Sequence, residues 1–362
     1  MTDALAGRRV AIIGGAGFIG HNLALRLSAL GAKVSVVDSL QINNILGLVP
    51  GLPGAPNIEL DRRILQQRLD LLQQSGVPVY IQDARDYHAL GRVLENQIAP
   101  QVIVHLAAVA HAGRSNKDPW STFDHSLRTL ENALDSARGR VEHFVYLSSS
   151  MAYGNFQSES VDEDHPLNPI GIYGALKVAG EKIVIAYQQV FGLEYTIIRP
   201  SALYGPRCVS RRVVQTFIEN ALQGRPLRVQ GDGSERLDFT YIDDLVEGIC
   251  LALRLPAARN QAFNLTFGRS RSIQELLALV LQESPGVPVS YVGREEGVPI
   301  RGTLSIQKAA RLLGYVPATP LERGLEQYVG WYRQILGGGI RRAGADRPEA
   351  PEGEVRSTAS RE

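Results

Sequence analysis

Tyr173 and Lys177 are the residues whose types and spacing speak most directly of proton chemistry. A separation of four puts both side chains on one face of a helix, and the helical pattern runs on through Ala175–Val190. An ordinary tyrosine, with a pKa near ~10, is a poor base at neutral pH. A neighbouring ammonium favours the phenolate, so this pair is suited to taking the proton of an alcohol. Singly, Tyr173 reads more readily as a core tyrosine and Lys177 as a solvated helix lysine. Their company decides between those readings.

That company begins at the N-terminus, where Val10-Ala-Ile-Ile-Gly14-Gly15-Ala16-Gly17-Phe18-Ile19-Gly20-His21 reads as strand, glycine turn and helix. Gly14 and Gly17 let the backbone fold sharply and approach a pyrophosphate, and Gly20 lets the helix pack closely. The first helical residues, Phe18 and Ile19, then offer free N–H groups and the positive end of the helix dipole. The acidic partner is Asp38, eighteen residues past Gly20 at the end of Val34-Ser-Val-Val37. A carboxylate there accepts both ribose hydroxyls of adenosine and repels a 2′-phosphate, which favours NAD over NADP. The plainer reading of Asp38 is a helix cap. With NAD bound, the cationic nicotinamide joins Lys177 in favouring phenolate at Tyr173 while hydride leaves the alcohol carbon.

Elements able to hold these groups alternate along the chain. Strands are expected at Val10–Ile13, Val34–Val37, Val79–Gln82, Val102–Leu106, Phe144–Leu147 and Thr196–Ile198, with helices at His21–Leu30, Tyr87–Asn96 and Thr129–Ala137 among others. The fold class this implies is α/β: a doubly wound parallel sheet with helices on both faces, followed by a smaller α/β substrate-binding domain. The expected division is 8–200 for the dinucleotide domain, with an insertion at about 41–78, and 201–336 for a substrate domain interleaved with it. Within the insertion, 47–54 reads as a loop and Glu59–Gln74 as an elongated crossover helix, with a lid or a subunit contact as the sharper alternative. Residues 337–362 have the composition of a disordered tail.

Composition excludes several classes. The 362 residues carry 38 basic and 37 acidic groups, a formal net charge of +1, so no field for nucleic acid or a membrane surface is expected. The apolar stretch Val10–Ile13 is too short for a signal peptide, and no apolar run is long enough for a membrane span. Two cysteines, Cys208 and Cys250, make neither a disulfide scaffold nor a thiolate metal site, which suits a reducing cytoplasm. The histidines lack metal-ligand spacing, so no metal is expected.

In this order, Gly14–Gly20, Asp83-Ala-Arg-Asp86, His105-Leu-Ala-Ala108, Ser148-Ser-Ser-Met-Ala-Tyr-Gly154, Tyr173-Gly-Ala-Leu-Lys177, Arg199-Pro200, Tyr204-Gly-Pro-Arg207, Gly231-Asp-Gly-Ser234 and Phe239-Thr-Tyr-Ile-Asp-Asp244 resemble an extended short-chain dehydrogenase/reductase of the NAD-dependent epimerase/dehydratase family. The resemblance spans about Arg8 to Trp331. It implies that Asp83 and Ala84 lie beside adenine, that Leu106, Ala107 and Ala108 line the cofactor's path, and that Tyr173 and Lys177 carry the reaction, Lys177 also holding the nicotinamide ribose. The family's catalytic Ser/Thr, four residues before Tyr153, corresponds to Ser149, with Ser150 a near competitor. It also implies a homodimer formed through Pro119–Ala137 and Tyr173–Val190.

Dehydratases and decarboxylases of the family place an acid one or two positions past the catalytic Ser/Thr. Here Ser150 and Met151 stand there, and a thioether cannot shuttle protons. The expected function is therefore a nucleotide-sugar epimerase, acting at C4 through a transient keto intermediate. A ketoreductase or dehydrogenase that releases its cofactor is the alternative, with a non-catalytic dinucleotide sensor behind it. The substrate half departs from the family at Ala202, Leu237 and Val298, and at His125 and Arg128. Arg207, Arg211, Arg212, Arg294 and Arg301 remain to meet a diphosphate, the first three just ahead of a helix.

Overall fold

Apolar β-branched runs separated by helical segments resolve into one seven-stranded sheet. The structure, a computed structural model, describes residues 5–48, 57–109, 112–294 and 297–337. The strands are β1 (Arg9–Ile13), β2 (Lys33–Asp38), β3 (Val79–Ile81), β4 (Val102–His105), β5 (His143–Leu147), β6 (Tyr195–Arg199) and β7 (Gln261–Asn264). Their order is β7-β6-β5-β4-β1-β2-β3, and every pairing is parallel.

Both faces are covered, as the apolar strands require. Val10, Ile12, Val104 and Val145 belong to one core, and their neighbours Ala11, Ile13, Ile103 and Phe144 to the other. Chain order reverses between β1 and β4, and the crevice beyond their C-terminal ends is where such sheets bind ligands. Gly14 leaves β1 and Leu106 leaves β4 at that crevice.

Four helices bear on the site. Helix α1 (Phe18–Ala29) follows the glycine turn. Helix α2 (Ile58–Gln74) belongs to the insertion and buries Leu60, Ile64, Leu65 and Leu72, as an elongated crossover helix does. Helix α3 (Gly171–Phe191) begins two residues before Tyr173, so the tyrosine sits in its first turn. Helix α4 (Val213–Leu222) starts just after Arg212. The segment expected as one helix over Tyr87–Asn96 is helical to Arg92 and then widens by one residue per turn through Val93–Ile98.

The strand Leu227–Gln230 pairs in parallel with Val289–Val292, outside the main sheet. Most of the loop expected at 47–54, and the tail beyond Gly337, lie outside the described residues. Gly337 itself ends the helix Leu321–Gly337. Among the described residues no helix is long and apolar enough to cross a membrane.

Candidate active site

The cofactor end of the crevice is shaped by close backbone approach. Gly14 has φ +81°, and a Cβ there would lie 2.7 Å from the amide nitrogen of Ala107. A Cβ on Gly20 would lie 2.5 Å from the Cα of Gly15, so α1 rests directly on the turn. No side chain caps α1 at Gly17, which leaves its first-turn N–H groups to a ligand. A cavity of about 570 Å³ opens here and runs from Gly14, Phe18 and Asp38 past Ala107 to Tyr173 and Arg301.

Asp38 does not cap a helix. Its carboxylate accepts from the amides of Ala16 at 2.9 Å and Leu40 at 2.8 Å, tying the glycine turn to the exit of β2, and it lines the cavity. Burial raises its pKa, and the two amides oppose that. Asp83 also lines the cavity, its carboxylate clasped by Arg85 at 2.6 Å, while Arg85 reaches Asp124 at 2.9 Å. Gly17, Ile19, Ala84, Leu106 and Ala108 complete the wall. Together, the turn a Cβ would fill, the open helix end and the carboxylate at the edge of β2 fit a dinucleotide.

Tyr173, Ser149 and Lys177 converge at the middle of the same cavity. Ser149 leaves β5 in extended conformation and accepts from the amide of Met151, and its hydroxyl is near enough to Tyr173 to favour the phenolate. Ser150 lines the cavity too, and Ser149 is the serine whose hydroxyl acts on the phenol's ionisation. Lys177 is buried and donates to the carbonyl of Leu147 at 2.6 Å. Its Nζ lies 5.8 Å from the centroid of the Tyr173 ring.

Burial lowers the Lys177 pKa to about 8, against the pull of Glu181 one turn on. Burial also pushes the Tyr173 phenol up, and the charge of Arg212 and the nearby Ser149 hydroxyl pull it down. Arg212 thus adds a second positive charge near the phenol, beside that of Lys177. Behind α3, Glu181 accepts from Ser148 and forms a buried ion pair with Arg199 at 2.7 Å, which anchors the helix to β5 and β6.

The arginines expected to meet a diphosphate divide. Arg207 is a correction: it does not line the cavity, because Nε donates to His21 Nε2 at 3.0 Å and Nη2 to Asn22 at 3.3 Å, both on α1. Arg294 is a second, lying exposed outside the cavity with a bond to the carbonyl of Val298. Arg211 lines the cavity, yet its guanidinium is committed to Asp61 at 2.7 Å and Glu219 at 3.5 Å. Arg212 remains at the wall beside Tyr173.

Two arginines outside the local cluster stand with it: Arg301, expected from the sequence, and Arg228, which was not. Arg228 lies on an exposed position of the strand Leu227–Gln230 and lines the cavity. Arg301 also lines it, paired with Glu235 at 3.1 Å, its Nε buried without a partner. Burial lowers the Arg301 pKa, and Arg212 and Arg294 lower it further against Glu235 alone. A wall where cations repel one another suits an anion. Alternation along Leu227–Gln230 was the available signal for Arg228. For Arg68 of α2, buried yet at the cofactor end, the helical stripe gave none, since it occupies a core position with a charge.

Residues 10–266 match the sequence model of the NAD dependent epimerase/dehydratase family. The chain belongs to that family. It is 31% identical over 334 residues to the UDP-glucose 4-epimerase of Mycolicibacterium smegmatis, covering 90% of this chain and 98% of that one. Among solved structures, the UDP-glucuronic acid 4-epimerase of Bacillus cereus, in complex with UDP-glucuronic acid and NAD, superposes with a TM-score of 0.78 at 25% identity, over 90% of this chain and 99% of that one. The dTDP-glucose 4,6-dehydratase DesIV of Streptomyces venezuelae, a double mutant with NAD bound, gives 0.79 at 27% identity, over 91% and 98%.

Proposed function

We propose that this chain is an NAD-dependent nucleotide-sugar epimerase that inverts a sugar at C4. The observation that carries this reading is the convergence of Tyr173, Ser149 and Lys177 in the cavity that the glycine turn opens, with Met151 where an eliminating enzyme needs an acid. NAD, when bound, supplies a hydride acceptor that later serves as donor. Gly14, Gly17, Phe18, Ile19, Gly20 and Asp38 hold it, Asp83, Ala84, Leu106, Ala107 and Ala108 flank it, and Lys177 holds its nicotinamide ribose. Tyr173 takes the proton of the C4 hydroxyl, with Ser149 bonded to the same oxygen, and returns it after the carbon has presented its other face. Arg212, Arg228 and Arg301 receive the diphosphate in place of Arg207 and Arg294.

The exposed Trp120, Phe123, Val190 and Phe191, on Pro119–Phe123 and the end of α3, support a homodimer built on those helices. The near-neutral charge and cysteine usage support a cytoplasmic enzyme. Incubating the purified protein with UDP-glucose, UDP-glucuronic acid and their N-acetyl counterparts tests the activity. Interconversion of C4 epimers with retained NAD is expected. Stoichiometric NADH production, or a 4-keto-6-deoxy product, overturns the reading.

A further inference from the structure

Helix α2 belongs to a connection of about forty residues where a turn and a short helix would span the distance, and the chemistry above makes no use of it. Its apolar face is fixed in the core through Leu60, Ile64, Leu65 and Leu72. Its polar side chains reach two loops that line the cavity. The first loop, 39–47, follows Asp38 and lines the cofactor end through Ser39, Ile42 and Asn43. The second, 200–212, brings Arg211 and Arg212 to the substrate end.

Arg68 donates from Nη1 to the carbonyl of Asn43 at 3.3 Å, and from Nε and Nη2 to the carbonyl of Arg207 at 2.9 and 2.5 Å. One guanidinium thus bridges both loops. Seven residues nearer the N-terminus, Asp61 accepts from Arg211 at 2.7 Å, and Asn57 donates to Glu219 of α4 at 3.3 Å. The residues grasped in the two loops, Asn43, Arg207 and Arg211, all have left-handed backbones, with φ of 49°, 67° and 51°. A residue other than glycine keeps that conformation only where its surroundings hold it. Arg68 is 1% exposed, and the acceptors of its bonds are carbonyls, so its cost of burial is met by where it holds the chain.

We propose that α2 is a clasp: Arg68 and Asp61 are positioning residues that fix the cofactor loop and the arginine loop as one unit, so that dinucleotide and nucleoside diphosphate bind with positive coupling. The identity of the second ligand rests on the nucleotide-sugar reading. Coupling of this kind is reciprocal: whatever NAD adds to diphosphate affinity, the diphosphate adds to NAD retention.

The test follows release of NAD from the holoenzyme with and without saturating UDP, in the wild type, Asp61→Asn and Arg68→Lys. UDP is expected to slow wild-type release about tenfold, within the usual range of such coupling, and both variants to lose most of that effect. KM for the sugar nucleotide rises in the variants while kcat is held, a split that general loosening of the fold would not give. Asp61→Asn, which touches only the arginine loop, also speeds NAD release several-fold with no UDP present. An unchanged rate in that last measurement overturns the clasp whether or not UDP binds, whereas failure of UDP to bind the wild type overturns the nucleotide reading instead. Should Arg68→Lys not fold, Asn57→Ala combined with Asp61→Asn carries the same comparison, and retention of the full UDP effect there overturns the proposal.

Discussion

Arg207 donates from Nε to Nε2 of His21 at 3.0 Å, and the other ring nitrogen of His21 lies 2.8 Å from the carbonyl of Gly17. Accepting at Nε2 and donating at Nδ1 assigns both positions, so this buried imidazole is neutral. It also holds the first turn of α1, where the cofactor cradle ends.

Stability is therefore expected to fall as pH drops below ~6.5, the ordinary histidine value. Burial first, then the charges of Arg68 and Arg207, lowers the His21 pKa well below that value. His105, lowered to about 3, and His143 are shifted the same way by burial. A depressed histidine binds fewer protons folded than unfolded, so its stabilisation is complete above the unfolded pKa and drains away below it. Thermal midpoints measured between pH 8 and pH 5 check the sign. His21→Gln, which can still accept from Arg207, should flatten the slope, and an equally steep slope would remove His21 from the explanation.

Replacing the phenol separates chemistry from binding. Tyr173→Phe removes the proton acceptor and leaves the glycine turn and Asp38 untouched, so turnover should fall by ~10²–10⁴-fold, the usual worth of a positioned acid–base group. NAD content of the purified variant should match the wild type, measured by absorbance after acid release. Comparable turnover in the variant would exclude Tyr173 as the proton acceptor.

Much of this site is legible in the chain because its parts are local. Gly14 to Gly20 form one turn, Asp38 ends the next strand, and Tyr173 and Lys177 share a face of one helix. The arginines were harder to read for a geometric reason. Arg207, Arg211 and Arg212 are close in sequence, but left-handed backbone at Arg207 and Arg211 directs the first to α1 and the second to Asp61, leaving Arg212 beside Tyr173. Spacing carries no mark of a positive φ at a non-glycine residue. Arg301, named from the sequence, is paired with Glu235 at the same wall as Arg228, whose strand pairs with Val289–Val292, a long-range contact that spacing does not show.

Arg212 should set the pH dependence of the reaction as well as substrate affinity. Its charge is the first of the two influences that pull the Tyr173 phenol down against burial. Arg212→Gln should displace the ionisation that limits kcat at low pH toward higher pH, because the phenolate loses a favourable neighbour. KM for a sugar nucleotide should rise about tenfold or more, as for loss of one charge-assisted contact to phosphate. Arg212→Lys should restore most of the pH profile and less of the KM, since an ammonium keeps the charge but not the planar fork. Kinetics of both variants across pH 6 to 9 decide this. A profile unmoved in Arg212→Gln would show that the phenol answers to another cation.

Two glycines of the turn should fail differently when given a methyl group. At Gly20 the added Cβ would sit 2.5 Å from the Cα of Gly15, backbone against backbone, with no flexible side chain to yield. Gly20→Ala should therefore lower the thermal midpoint even of protein stripped of NAD, and lose NAD as a consequence. At Gly17 the φ of −72° suits alanine, and the nearest atom, the carbonyl oxygen of Gly14, is 3.2 Å away. Gly17→Ala should leave the stripped protein almost as stable as wild type while weakening NAD, because the methyl group enters the space that the pyrophosphate needs. Thermal melts of stripped and NAD-loaded protein distinguish the two losses. If Gly17→Ala keeps full NAD affinity, the pyrophosphate does not pass over that residue, and the cradle must be drawn closer to Gly14.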